Sequence, residues 1–146
     1  MLLNIFKKIY YEKYSKKSYS ISNVDLIIDR IFSNKKEGIY VDVGCNHPIK
    51  FNNTYLLYKR GWNGINIDLD NDSINQFNKL RKRDLNIKTL VTSFDDEEKQ
   101  LYFYHNRSAI NTVSKSLADK RVNKHKEIKT IKGSSLNSII EKSKYK

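Results

Sequence analysis

The sequence has 146 residues, of which 38% are hydrophobic and 30% charged, a length and composition that suit one soluble globular domain rather than two or a disordered chain. No apolar run approaches the roughly 20 residues of a bilayer span, and the single cysteine, Cys45, excludes an internal disulfide framework and fits a reducing, cytoplasmic address. The net charge of +12 raises the reading of a basic nucleic-acid-binding protein, but Lys and Arg are scattered and aromatics do not interleave with them at stacking spacing, so no specific nucleic-acid face is expected.

Residues 1–21 read as a basic helix or tail. Leu2, Leu3, Ile5, Phe6, Ile9 and Tyr10 recur at near-helical spacing among lysines, a pattern for peripheral contact with a membrane surface or for packing on the domain. Lys7 and Lys8 interrupt the stretch, and no small-residue cleavage site follows, so it makes a poor signal peptide. Residues 22–146 read as one domain. Val24, Leu26, Ile27, Ile28, Ile31 and Phe32 predict a helix over residues 23–32 with a broad apolar face, N-capped by Ser22 or Asn23.

Ile39-Tyr40-Val41-Asp42-Val43 is short, β-branched and closed by Gly44, which predicts a buried strand. A loop through Pro48 leads to a helix over residues 53–60, capped by Asn52 or Asn53 and stopped by Gly61; residues 64–68 form the second strand. Ser73 to Gln76 has the form of a capping box, with Ile74, Phe77 and Leu80 on the buried side of a helix ending near Arg83. Residues 87–92 read as a third strand. This alternation predicts an α/β fold, a Rossmann-like, doubly wound, mainly parallel sheet. Beyond the acidic turn at residues 95–98, residues 101–105 read as an antiparallel strand added to that sheet. A helix over residues 116–123, a short strand over 128–131 and a helix over 135–142 complete the reading.

In an open parallel sheet, ligands bind beyond the carboxyl ends of the strands, where the first crossover begins. That places Asp42, Gly44, Cys45, Asn46 and His47 at the mouth, with Gly44 permitting close backbone approach. Asp68 ends the second strand, where a carboxylate can accept both hydroxyls of a ribose. The run Gly44-Cys45-Asn46-His47-Pro48-Ile49 holds one glycine, unlike the G-x-G-x-x-G of a pyrophosphate site, so a nucleoside cofactor without phosphate fits better than a dinucleotide. His47 is the candidate general base. Cys45 has no basic partner in sequence and reads as a small buried residue rather than a nucleophile. His105 and His125 lack ligand spacing, and no metal is expected.

The run from Gly38 to Asp70, GIYVDVGCNHPIKFNNTYLLYKRGWNGINIDLD, resembles the signature of FkbM-type methyltransferases: a V-D-V-G segment, an S-N-T-like triplet heading a helix, then G-W-x-G-I and an acid. The resemblance implies S-adenosyl-L-methionine as cofactor and O-methylation of a small-molecule or glycan hydroxyl. By position, Asp42, Gly44, Cys45 and Asn46 would line the methionine side, Asn53 and Thr54 would face the cofactor from the helix start, and Asp68 would hold the ribose. Asn52 stands where the family commonly has serine. Members continue with a strand carrying an I-D-x-E-G type motif, and this sequence stops at Lys146 before one, so a C-terminally truncated domain is expected. An uncovered edge on the first strand would then favour self-association. A non-catalytic module that holds a cofactor or a partner is the alternative.

Overall fold

The computed structural model describes residues 16–145, and the helix expected near the N-terminus lies outside them. The described chain is α/β. Its elements run α1 (Val24–Ile31), β1 (Ile39–Val43), α2 (Tyr55–Lys59), β2 (Asn63–Asp68), α3 (Asn71–Leu80), β3 (Leu85–Lys88), β4 (Leu90–Thr92), β5 (Glu98–Phe103), α4 (Lys115–Asp119), β6 (Glu127–Ser135) and α5 (Leu136–Glu141).

β1, β2 and β3 form a parallel sheet in that order, with Val41 opposite Ile65 and Ile67 opposite Ile87. Parallel neighbours require crossovers, and the two here contain α2 and α3. One face of the sheet packs under these helices: Tyr40, Leu57 and Trp62 form a core with Ile28 and Phe32 against it, while Cys45, Ile74 and Phe77 form a second cluster. On the other face Ile65 and Ile67 pack against Ile139 of α5, with Leu136, Ile140 and Val91 around them. Each such fully buried side chain contributes about 1.5–3 kcal/mol through removal from water.

The expected third strand is two strands. Thr89 breaks the run, and β4 leaves the first sheet to pair in parallel with the end of β6, Leu90 opposite Gly133. β5 pairs antiparallel with the first two-thirds of β6, so it belongs to this second sheet, ordered β4-β6-β5, and not to the first. β6 is correspondingly longer than the apolar run Ile128–Ile131 suggests, because most of its exposed residues are held by backbone pairing rather than burial. α4 ends at Asp119, short of residue 123.

Two helix starts also differ from expectation. Asp70, not Ser73, caps α3: its Oδ1 accepts the Ser73 N–H at 2.8 Å, and the Ser73 hydroxyl lies buried without a partner. α3 ends at Leu80, not near Arg83, and Leu80 is half exposed. α2 starts at Tyr55 behind Thr54, whose N–H donates to Asn52 Oδ1 at 3.1 Å.

Gly64 explains how Tyr40 crosses β2. A Cβ there would stand 1.9 Å from the Tyr40 ring, whose hydroxyl donates to Asp84 Oδ2 at 2.5 Å and cannot swing away without breaking that bond. Gly64→Ala is therefore expected to lower stability by about 1–3 kcal/mol, the usual cost of overpacking. Guanidinium denaturation should show the midpoint falling; an unchanged midpoint would mean that the Tyr40 ring relocates freely.

Candidate functional site

The floor of the site is the carboxyl end of the first sheet. Beyond Val43 the chain turns at Gly44, φ 72°, where an added Cβ would meet nothing within 4 Å. The amides of Gly44 and Cys45 donate to Ile67 O at 2.8 and 3.2 Å, fastening the loop to β2. Asp68 completes the fastening. Its Oδ2 accepts the Asn46 N–H and its Oδ1 the Asp70 N–H, each at 2.8 Å. A carboxylate has about four lone-pair positions, so each oxygen of Asp68 keeps acceptor capacity toward the space above.

That space is an open cleft of about 950 Å³. Gly44, Asn46, Asp68 and Asp70 line its floor, Leu101, Phe103 and Ile131 of the antiparallel β5–β6 pair its far wall, and residues 106–109 and 111–113 its roof. The roof is tied down at Asp70, whose Oδ2 accepts the Arg107 N–H at 2.8 Å, while Arg107 Nη2 reaches Gln76 Oε1 at 3.2 Å. Gln76 thus serves the roof, not a capping box. Burial works against ionisation of Asp70, but the N–H groups of Arg107 and Ser73 outweigh it and hold its carboxyl below the usual range.

Beneath the floor lies a buried polar network that sequence reasoning missed. Arg81 is fully buried, and its Nε donates to Asp84 Oδ2 at 2.9 Å. Its Nη1 donates to Pro48 O and Asn52 Oδ1, at 3.0 and 3.4 Å, and its Nη2 to Tyr40 Oη and Thr54 Oγ1, at 2.6 and 3.0 Å. With its lone pair accepting from Arg81, the Thr54 hydroxyl points its proton at Asp42 Oδ2, 2.8 Å away; Asn52 Nδ2 donates to the same oxygen at 3.0 Å. Asp84 also accepts the Gly64 N–H and Asn66 Nδ2. The available sequence signal was spacing: Arg81 continues the buried stripe of Ile74 and Phe77 at i, i+3, i+7, whereas the basic run around it suggested solvent.

The expected site residues divide accordingly. Gly44, Asn46 and Asp68 line the cleft together. Asp42 and Thr54 lie below it, bonded to one another, and burial pushes the Asp42 carboxyl up from its usual value. The Cys45 side chain turns away into the Ile74–Phe77 cluster, where burial raises its thiol pKa, so only its backbone belongs to the loop beside the cleft. Asn53 is exposed and outside the cleft; its neighbour Asn52 takes the buried position. His47 is not poised as a base. Its Nδ1 accepts the N–H groups of Ile49 and Lys50, both at 3.0 Å, which assigns the neutral ring's proton to Nε2 and leaves no free lone pair. Burial, with Arg107 and Lys50 nearby, lowers its pKa and keeps the ring neutral.

Among the described residues no group of three or more His, Cys, Asp or Glu side chains is arranged to hold a metal ion, and no helix is long and apolar enough to cross a membrane. Comparison of the chain with protein-family models, curated proteins and solved structures returns no match.

Two consequences are measurable. Arg81→Met leaves Asp84 buried without its counter-ion and should cost about 3–5 kcal/mol in chemical denaturation; a loss below about 1 kcal/mol would mean that water replaces the guanidinium. Asp42 behaves oppositely. A carboxyl whose folded pKa is raised contributes stability below its unfolded pKa and loses it as pH rises through the folded value. Asp42→Asn should therefore be more stable than wild type at pH 7, with the gap closing on acidification through the carboxylate range; thermal melts across that range read the sign directly.

Proposed function

We propose that the cleft binds S-adenosyl-L-methionine and that the chain is built as a methyltransferase of the FkbM-like kind, acting on a hydroxyl of a small molecule or glycan. The observation that carries this reading is Asp68, at the end of β2 beside Gly44, with spare acceptor capacity on both carboxylate oxygens facing the cleft. The parallel order of β1, β2 and β3 with helical crossovers supports the Rossmann-like form of the fold, in which a nucleoside lies across these strand ends.

The residues fit the cofactor in three further respects. The cleft's size falls within the range of small-molecule and cofactor sites. Its lining carries Asp68, Asp70 and Asp72 beside Lys88, Arg107 and Lys129, charges of both signs that suit a ligand bearing a sulfonium and an ammonium cation together with a carboxylate. The first loop offers one glycine and no run of glycines for a pyrophosphate, which favours a cofactor without phosphate. Asp68 would hold the ribose hydroxyls, and the open backbone at Gly44 and Asn46 would lie against the amino-acid portion. When bound, the cofactor supplies an electrophilic methyl group. This chain's own contribution is alignment of the acceptor and exclusion of water by the β5–β6 wall, since the lone pair of His47 is committed.

Titration calorimetry with S-adenosylhomocysteine tests the reading. Wild type should bind, and Asp68→Ala should bind roughly ten- to a hundredfold more weakly, the value of a charge-assisted hydrogen bond of about 1.5–3 kcal/mol. Asp68→Asn keeps only one acceptor oxygen for the two loop amides, so thermal melts of both variants separate loss of ribose contact from loss of loop support. Equal affinity in all three proteins would remove Asp68 from the site, and absence of binding to wild type would sink the cofactor assignment.

A further inference from the structure

α1 is amphipathic in the reverse sense from a surface helix of a soluble domain. Its two carboxylates face the protein. Asp25 is fully buried, accepting from Ser18 Oγ, the Tyr19 amide and Ser20 Oγ, and Asp29 is 5% exposed, paired with Lys16 and, at 2.8 Å, with Arg60 Nη1. Its aliphatic residues face outward: Val24 is 37% exposed, Ile27 57% and Ile31 68%, with Ile21 ahead of the helix at 79%. Positions i, i+3 and i+7 make one stripe, so these side chains lie together. Only Ile28 of the helix, with Phe32 just beyond it, packs on the Tyr40–Leu57–Trp62 core. Ile21 also lines the cleft beside Phe51 and Val43, which are 74% and 52% exposed, so the apolar surface runs on from the helix to the cleft mouth.

The exposed charge around this stripe is mainly positive. With Asp25 and Asp29 turned inward, the only charged residue α1 exposes is Arg30. Exposed Lys35 and Lys36 follow its C-terminus, Lys50 precedes Phe51, and Glu37 is the sole acid in that stretch. An exposed aliphatic stripe flanked by cations, on a chain of net charge +12, is complementary to apolar material beneath a layer of negative charge. We infer that the outward face of α1 docks on an anionic lipid bilayer, Ile27 and Ile31 entering the headgroup–acyl boundary while Arg30, Lys35 and Lys36 meet the lipid charges. Aliphatic burial and cationic attraction add in such binding, and neither alone holds a protein firmly. This surface does not depend on the cofactor reading.

Co-sedimentation of the full chain with vesicles is the test, comparing phosphatidylcholine alone with a mixture of phosphatidylcholine and phosphatidylglycerol. The chain should partition onto the anionic vesicles at low salt, release as salt rises, and leave the neutral ones in solution. Ile27→Ser/Ile31→Ser should reduce partitioning about tenfold with charge unchanged, and Lys35→Gln/Lys36→Gln should reduce it with the stripe unchanged. Both pairs are exposed, so melting temperatures should match wild type; any variant that melts early is replaced by the single Ile31→Ser. Three results would overturn the inference: no partitioning onto anionic vesicles, equal partitioning by wild type and the serine variant, or a wild-type dimer in light scattering that the serine variant abolishes. The last would make a second copy the occupant of the stripe.

Discussion

A guanidinium with no solvent contact sits where β1, α2, α3 and the first loop meet, and the arrangement of the floor follows from the need to satisfy it. Arg81 carries five N–H donors, and acceptors from Asp84, Pro48, Asn52, Tyr40 and Thr54 surround them. Its charge is balanced by Asp84 three residues on, and its faces lie against aromatic rings, Tyr58 at 4.6 Å and Phe77 at 5.5 Å. Burying such a pair is favourable only when every remaining donor and acceptor is matched. That condition fixes where Tyr40, Asn52 and Thr54 stand, and through them the register of the loop that opens the cleft.

The direction of each hydrogen bond then reaches the site. Arg81 can only donate, so the hydroxyls of Tyr40 and Thr54 accept from it and must pass their own protons on, to Asp84 and Asp42 respectively. Asp42 therefore receives its partners from below while burial disfavours its charge. Asp68 instead receives loop amides and keeps open sides toward the cleft. Two aspartates on adjacent strands have become different chemical groups because one meets the buried network and the other ends above it. The floor is preorganised, held by Ile67 O and Asp68 from one side and by Arg81 from the other.

How far the sequence revealed this depended on whether a residue's role was local. β1 and β2 were legible as strands because branched residues specify a short strand without outside help, but β1 is not the buried strand expected: it lies at the sheet edge with Ile39, Val41 and Val43 exposed. The cleft floor at Gly44 and Asp68 followed from the parallel crossover. Residues whose place is set by side-chain partners outside their own element were largely not legible. Periodicity counts Asp25 and Asp29 as exterior and Ile27 and Ile31 as interior, yet the aspartates are held inside by Ser18, Ser20, Lys16 and Arg60. Arg81 hid in a basic run, and Asp70 outranked Ser73 as a cap because it also receives Arg107 from the roof. The division of the third strand at Thr89 depended on pairing with Gly133, more than forty residues later, which no local pattern carries.

The same use of carboxylates inside the molecule shapes its outer field. Asp25, Asp29, Asp42, Asp68, Asp70 and Asp84 all accept hydrogen bonds that build the fold, and Asp95 and Glu97 hold the turn before β5 through the amides of Ser135 and Ser93. Most lysines have no such role and extend into water. Acids are thus frequent within and beneath the cleft, where Lys88, Arg107, Lys129 and the buried Arg81 accompany them, while most other described cations are spread over the exterior. A Debye length of about 10 Å at moderate salt lets these two fields act separately. At a distance the protein presents positive charge to whatever it approaches, and a ligand inside the cleft meets carboxylates and cations together at close range. An extended anionic surface would therefore be drawn to the exterior, and a small ligand carrying charges of both signs to the cleft, without the two competing for the same groups.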